Sequence, residues 1–265
     1  MSRAGRAGAL FGMLALVAGC GPAAGPGPGD AEPTGALAGE LTVFAAASLQ
    51  GVFDELAGIF AERHPGVTVA PIVYDGSSTL ATQLVEGASA DVLATADERT
   101  MATLVAAGLA AGEPAIFATN TLRIAVAPDN PHEVTDLADI ADLLAAGGRV
   151  AVCAPEVPCG AATAAVLEAA GVGLAGASEE QTVSAVLTKV TEGEVDAGLV
   201  YATDVARAGG AVLGLDVPES AVAVNSYPVA RLAGGPAPDL ARAFVELVLG
   251  EEGAAVFAAH GFGAP

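Results

Sequence analysis

From Glu40 onward two hydrophobic periods alternate along the chain. Short apolar runs of strand length are followed by segments whose apolar residues recur every three or four positions. LTVF (41–44) reads as a strand, and Val52, Phe53, Leu56, Ile59 and Phe60 then fall on one helical face that stops at His64-Pro65-Gly66. VTVAPIVY (67–74) and DVLATAD (91–97) are the next strands, with helices over 79–87 and 101–108 after them. A second series begins near Asn120: LRIAVAP (122–128), RVAVCAP (149–155) and AGLVYATD (197–204) as strands, with helices over 135–147, 161–171 and 182–193. VAVNSYPVARL (222–232) is strand-like, and Pro228 predicts an edge strand or a crossover. Helices over 238–250 and 253–261 close the chain. Strands alternating with helices predict an α/β protein with mainly parallel sheets flanked by helices. The stop near Thr119 and the return near Tyr227 divide it into two lobes, 40–119 plus 228–265 and 120–227.

The first 39 residues follow neither period. Arg3 and Arg6 precede a short apolar run, Ala9 to Gly19, and Cys20 follows directly. The run falls short of the ~20 apolar residues that span a bilayer. Basic, then apolar, then small residues is the order of a secretory signal. LVAGC (16–20) resembles a lipoprotein signal, cleaved after Gly19 so that Cys20 carries lipid; a plain signal with an incidental cysteine is the alternative. Residues 20–39 are Gly-, Pro- and Ala-rich and read as a flexible tether.

Composition narrows the function further. The 265 residues carry 10 basic and 31 acidic side chains, a net charge of −21, which excludes a general nucleic-acid binder. Losing residues 1–19 removes two arginines and leaves 8 basic against 31 acidic residues, or −23. The 53% hydrophobic content supports a packed core. Aromatic residues are 4% with no Trp, which makes aromatic stacking a poor candidate for the main recognition chemistry, and Lys189 is the only lysine, which excludes a P-loop.

The candidate chemistry lies where strands run into polar turns and then helices: Ser48, Ser77-Ser78, the EVPCG turn (156–160) and SEEQTV (178–183). Each serine alone reads as a helix N-cap. Together they permit a ligand site, because helix N-termini gather at the carboxyl ends of strands in open α/β sheets and favour anions. None of these turns contains Lys or Arg, so the site would hold a fully ionised oxyanion with neutral donors. Enzyme templates fit poorly: His64, His132 and His260 lie in turns or near the C-terminus, and no Gly-x-Ser-x-Gly elbow or zinc spacing occurs. Cys153 and Cys159 flank a turn in an exported chain and could form a disulfide, remain free thiols, or supply half of a soft-metal site.

These motifs resemble the periplasmic-type molybdate-binding proteins, the substrate-binding components of molybdate ABC transporters. The likeness rests on LTVFAAASL (41–49), SSTL (77–80), EGASADVLATAD (86–97), RVAVCAPEVPCG (149–160), GLVYATD (198–204), YPVA (227–230) and HGF (260–262), in order over nearly all of 40–263. The resemblance implies the two-lobe periplasmic-binding-protein fold (type II), with two crossings between lobes and a cleft that closes on the oxyanion. It also implies the ligands: Ser48 and Ser77 through their hydroxyls (Ser78 if the register slips by one), Cys159 and Val183 through backbone N–H, and Tyr201 through its phenol. Because Cys159 would bind through its backbone, a Cys153–Cys159 disulfide would not harm the site. The implied ligand is molybdate or tungstate, with molybdenum present only within the oxyanion and no cofactor beyond it. The implied partners are an ABC permease and the membrane, reached through lipid on Cys20; the protein would be an extracytoplasmic monomer and not an enzyme. A receptor for sulfate, phosphate or a ferric complex is the nearest rival, and a secreted enzyme on the same fold is the rival from another class.

Overall fold

The computed structural model describes residues 36–265, so the signal segment, Cys20 and the tether up to residue 35 lie outside the described residues. The chain opens with β1 (Ala38–Leu41) and β2 (Val43–Ala46), a 3-10 turn at Ala47–Leu49, and α1 (Val52–Arg63). There follow β3 (Gly66–Val69), β4 (Val73–Asp75), α2 (Ser77–Val85), β5 (Val92–Ala94), α3 (Glu98–Ala106) and β6 (Ala115–Asn120). The middle of the chain forms β7 (Leu122–Val126), α4 (Leu137–Ala145), β8 (Val150–Cys153), α5 (Pro158–Ala170), β9 (Ser178–Glu180), α6 (Val183–Thr191), β10 (Ala197–Tyr201), α7 (Ala202–Ala208) and β11 (Leu213–Asp216). It ends in β12 (Asn225–Arg231), α8 (Pro238–Leu249) and α9 (Glu251–Ala259).

The strands sort into two five-stranded sheets, ordered β4-β2-β5-β12-β6 and β11-β7-β10-β8-β9, while β1 pairs with β3 alone. The chain leaves the first sheet after Asn120 and re-enters it at Asn225. Two lobes with two crossings result. Each sheet is mixed. Strands linked through a helix pair in parallel, β2 with β4 and β5, and β8 with β9 and β10. The strands next to the crossings, β6, β7, β11 and β12, pair antiparallel, because a chain that switches sheets enters from the opposite direction.

Alternation along the strands of the first sheet sends neighbours to opposite faces. Val43 and Ala45 of β2, and Val92 and Ala94 of β5, pack in one core with α1, α8 and α9. Phe44 and Leu93, between them, pack in a second core with α2 and α3. Six phenylalanines gather on the first of these faces: Phe53, Phe60, Phe117, Phe244, Phe257 and Phe262. Their ring centroids are 4.7–6.2 Å apart, a spacing at which tilted and edge-on aromatic pairs attract. The second lobe has its own core, built on β7, β8 and β10.

Four details differ from the sequence reading. The 67–74 run is two strands, broken at Ala70-Pro71-Ile72. β12 is a crossover but not an edge: it lies between β5 and β6, and a register shift at Tyr227/Pro228 accommodates the missing N–H. AGLVYATD divides at Tyr201, and its last residues start α7. β6, β9 and β11 are additional strands, as is β1, which takes only Leu41 of LTVF.

Candidate oxyanion-binding site

Ser48 follows β2, and Ser77 opens α2 directly after β4. Cys159 is the second residue of α5, beyond β8; Val183 is the first residue of α6, beyond β9; Tyr201 ends β10. All five stand at the carboxyl ends of strands, where open α/β sheets bind ligands. They line one cavity together with Ala46, Gly76, Ala96, Val157 and Thr182. Ser78, the alternative to Ser77, is not among its lining residues and instead borders a neighbouring groove. The first lobe therefore contributes Ser48 and Ser77, and the second contributes Cys159, Val183 and Tyr201.

The serines are not the N-caps that local sequence suggests. Gly51 precedes α1 and Gly76 precedes α2, neither with a side-chain cap bond. Ser48 Oγ lies 3.1 Å from Tyr227 Oη, and Ser77 Oγ accepts from the Ala96 N–H at 3.0 Å. Both hydroxyls are held from behind by long-range partners. Thr182, by contrast, does cap α6, its Oγ1 accepting from Ala185 N–H. The first N–H groups of α2, α5 and α6, those of Ser77, Cys159 and Val183 among them, have no acceptor within their own helix.

Tyr201 is 1% exposed, and its hydroxyl is a buried polar atom without a hydrogen-bond partner. Such an orphan costs about 1–3 kcal/mol, so the phenol is a donor free to bind a ligand in the cavity it lines. Burial pushes its pKa well above the ordinary tyrosine value, helped by the nearby Tyr227 hydroxyl and the Asp204 and Asp97 carboxylates. Tyr201 is thus a neutral O–H donor. Asp204, fully buried, accepts from Tyr201 N–H and pairs with Arg207 at 2.9 Å, which holds the start of α7 behind the phenol. Among the described residues that line the cavity there is no Lys, Arg or His, and Asp75 is the one acid. Its Oδ1 accepts from the Gly76 N–H at 2.7 Å. The arrangement offers donors without a cation, which matches an anion that only accepts.

The cavity is small, with about 20 Å³ open to the centre of a water-sized sphere. Metabolite-sized pockets run to roughly 300–1,000 Å³, so the space fits one small ion. The lobes are closed around it. Ser78 Oγ donates to the Glu156 carbonyl at 2.6 Å, and Arg99 donates to the same oxygen at 3.0 Å. Gly76 approaches the Gln181 carbonyl so closely that a Cβ would stand 2.4 Å from it. On the second lobe, Cys153 and Cys159 are joined in a disulfide with Cα atoms 5.7 Å apart, stapling the turn that begins α5. Gly160 is required there, since a Cβ would fall 1.8 Å from the Ala154 carbonyl.

Sequence reasoning missed the groups behind the cavity: Tyr227, 0% exposed, and Asn120, whose side chain reaches both Tyr227 and Thr203. Tyr227 stands in the sequence only within the segment YPVA, and no local pattern marks Asn120.

Residues 41–263 match the family described as bacterial extracellular solute-binding protein. The molybdate-binding protein ModA of Mycobacterium tuberculosis is 44% identical over 252 residues, 94% of this chain and 95% of that protein. The periplasmic molybdate-binding protein of Azotobacter vinelandii aligns with a TM-score of 0.72 at 22% identity, over 85% of this chain and 99% of that one. The sulfate-binding protein SubI of Mycobacterium tuberculosis aligns with a TM-score of 0.71 at 19% identity, over 84% of this chain and 86% of that one. The two structural likenesses establish the fold and do not separate ligands; the match over nearly the whole sequence does more, and by it this chain belongs to the bacterial extracellular solute-binding proteins and, within them, to the ModA family.

Proposed function

We propose that this protein is an extracytoplasmic receptor that binds molybdate, and tungstate with it, between its lobes and delivers the oxyanion to an ABC permease. The lobes are 40–119 plus 228–265 and 120–227. The ligands are the Ser48 and Ser77 hydroxyls, the Cys159 and Val183 N–H groups and the Tyr201 phenol. One observation carries the reading: these five residues, drawn from both lobes, line one small cavity that contains an unpartnered buried phenol and no cation. The 44% identity to a molybdate-binding ModA over 94% of the chain supports the choice of anion. Membership of a family of solute-binding proteins supports transport rather than catalysis.

Molybdate, tungstate and sulfate are all tetrahedral dianions, so donor chemistry barely separates them and cavity size must. Sulfate is the competing reading, since a sulfate-binding protein shares the fold. Calorimetric titration with molybdate, tungstate, sulfate and phosphate tests the assignment. Tight one-to-one binding of the first two with sulfate at least a hundredfold weaker supports it. Tight sulfate binding with weak molybdate overturns it. A net charge of −23 after signal removal opposes long-range attraction of an anion, but salt screens it beyond about 8–10 Å, leaving the local donors to act. Cys20 carries the lipid anchor in this reading. Cys20→Ser should release the protein from the membrane fraction, and unchanged retention would contradict the anchor.

A further inference from the structure

We infer that Tyr227 and Asn120 are positioning residues that set the direction of the Ser48 hydroxyl, an inference that rests on the oxyanion reading of the cavity. Thr121 N–H donates to Asn120 Oδ1 at 3.0 Å. A backbone N–H cannot accept, so this bond fixes the amide with its oxygen toward Thr121 and its NH2 the other way. That NH2 has two hydrogens and two acceptors, Thr203 Oγ1 at 2.8 Å and Tyr227 Oη at 3.4 Å. Tyr227 Oη therefore receives a proton from Asn120. Its own proton is directed at Ser48 Oγ, 3.1 Å away. Ser48 Oγ, already accepting, turns its own proton elsewhere, and the cavity it lines is the open direction.

The reverse polarity is disfavoured. If Ser48 donated to Tyr227, the phenol would accept two hydrogen bonds and its own proton would be left with the Tyr201 hydroxyl, the group that the oxyanion reading needs as a donor into the cavity. Tyr227 is also held rigidly: it is 0% exposed, with the rings of Phe262, Tyr201 and Phe117 at 5.5, 6.1 and 6.2 Å. Ser77 shows the same polarity by a shorter route, since the Ala96 N–H already occupies its oxygen. Both serines thus face the cavity as donors.

The consequence is selectivity by protonation state as well as size. A fully ionised oxyanion presents only acceptors to these hydroxyls. Hydrogen phosphate brings a proton that finds no acceptor at Ser48. Tyr227→Phe keeps the ring and removes the donor, so Ser48 Oγ regains a free lone pair and its hydroxyl can rotate. Molybdate affinity should fall roughly three- to tenfold, the worth of one neutral hydrogen bond. Phosphate should not weaken in proportion, so the molybdate-to-phosphate ratio narrows.

The test is a double-mutant cycle read by calorimetry with molybdate, on the wild type, Ser48→Ala, Tyr227→Phe and the double variant, with melting curves to show that each is folded. If Tyr227 acts through Ser48, its substitution costs less than about twofold once Ser48 is gone. Asn120→Ala, run through the same cycle, should behave the same way and serves if Tyr227→Phe does not fold. Equal losses in both backgrounds, or no loss in the wild-type background, overturn the inference alone. A wild type that binds no molybdate overturns the oxyanion reading and this inference with it.

Discussion

Removing one oxygen atom tests the site most sharply. Tyr201→Phe deletes the orphan hydroxyl and leaves the ring, which packs against Tyr227 with centroids 6.1 Å apart. Without ligand, the wild-type hydroxyl is buried and unpaired in the closed form, so the variant should melt no lower than the wild type. With ligand, the same hydroxyl would donate to an oxyanion. A hydrogen bond to a charged group contributes about 1.5–3 kcal/mol, which is roughly a 10- to 150-fold increase in Kd on removal. Calorimetry with molybdate reads the change directly. Thermal melting reads it independently, since the stabilisation by ligand scales as RT ln(1 + [L]/Kd). Burial raises the Tyr201 pKa, so the donor keeps its proton and the wild-type affinity should be flat from neutral pH to about 9. A Kd within twofold of wild type, with a normal melting temperature, would refute the claim that this phenol holds the anion.

Other perturbations probe closure, the turn and the buried phenols. Gly76→Ala should oppose closure, because its Cβ would meet the Gln181 carbonyl at 2.4 Å from across the cleft. Overpacking of about 1–3 kcal/mol against the closed form alone predicts roughly 5- to 150-fold weaker molybdate binding with an unchanged ligand-free melting point; wild-type affinity would contradict it. Replacing Cys153 and Cys159 together by Ala removes a cross-link spanning a sequence separation of 6. The chain-entropy argument predicts a loss of about 2 kcal/mol in denaturant unfolding, with molybdate binding retained; loss of binding in a folded variant would implicate the side chains. All three tyrosines have raised pKa values, burial being the largest cause in each. Below pH 10 both folded and unfolded tyrosines are protonated and stability does not depend on them. Above it the unfolded chain loses protons that the fold retains, so stability should fall by about 1.4 kcal/mol per pH unit for each of Tyr201 and Tyr227. Stability flat to pH 11.5 would contradict their burial as neutral groups.

Much of the fold is legible in the sequence because its strands and helices bury whole faces. β2, β8 and β10 are buried at every residue, and runs such as VFAA and AGLVY announce them. Of the strands that escaped, β1 is AGEL, β9 is SEE and β11 is LGLD with Leu213 at 38% exposure, so none shows a hydrophobic period, while β6, AIFATN, buries Phe117, Ala118 and Asn120 without alternation. Pro228 misleads toward an edge because a local rule cannot foresee the bulge that admits it into the interior. Of the site, the ligand candidates follow from strand–turn–helix order. Their orientation does not. Ser48 is set by a residue 179 positions away, and Ser77 by the Ala96 N–H, 19 positions on in the turn that follows β5. Capping is what local sequence predicts for both serines, and tertiary partners override it.

The central claim is that the closed cavity takes a small, fully ionised oxyanion and selects it by size. Calorimetric titration of the purified, ligand-free protein with molybdate, with sulfate in parallel, tests it most directly. The account predicts saturable one-to-one binding of molybdate, with sulfate at least a hundredfold weaker. No heat with either anion from a folded, ligand-free sample, or sulfate bound as tightly as molybdate, would contradict it.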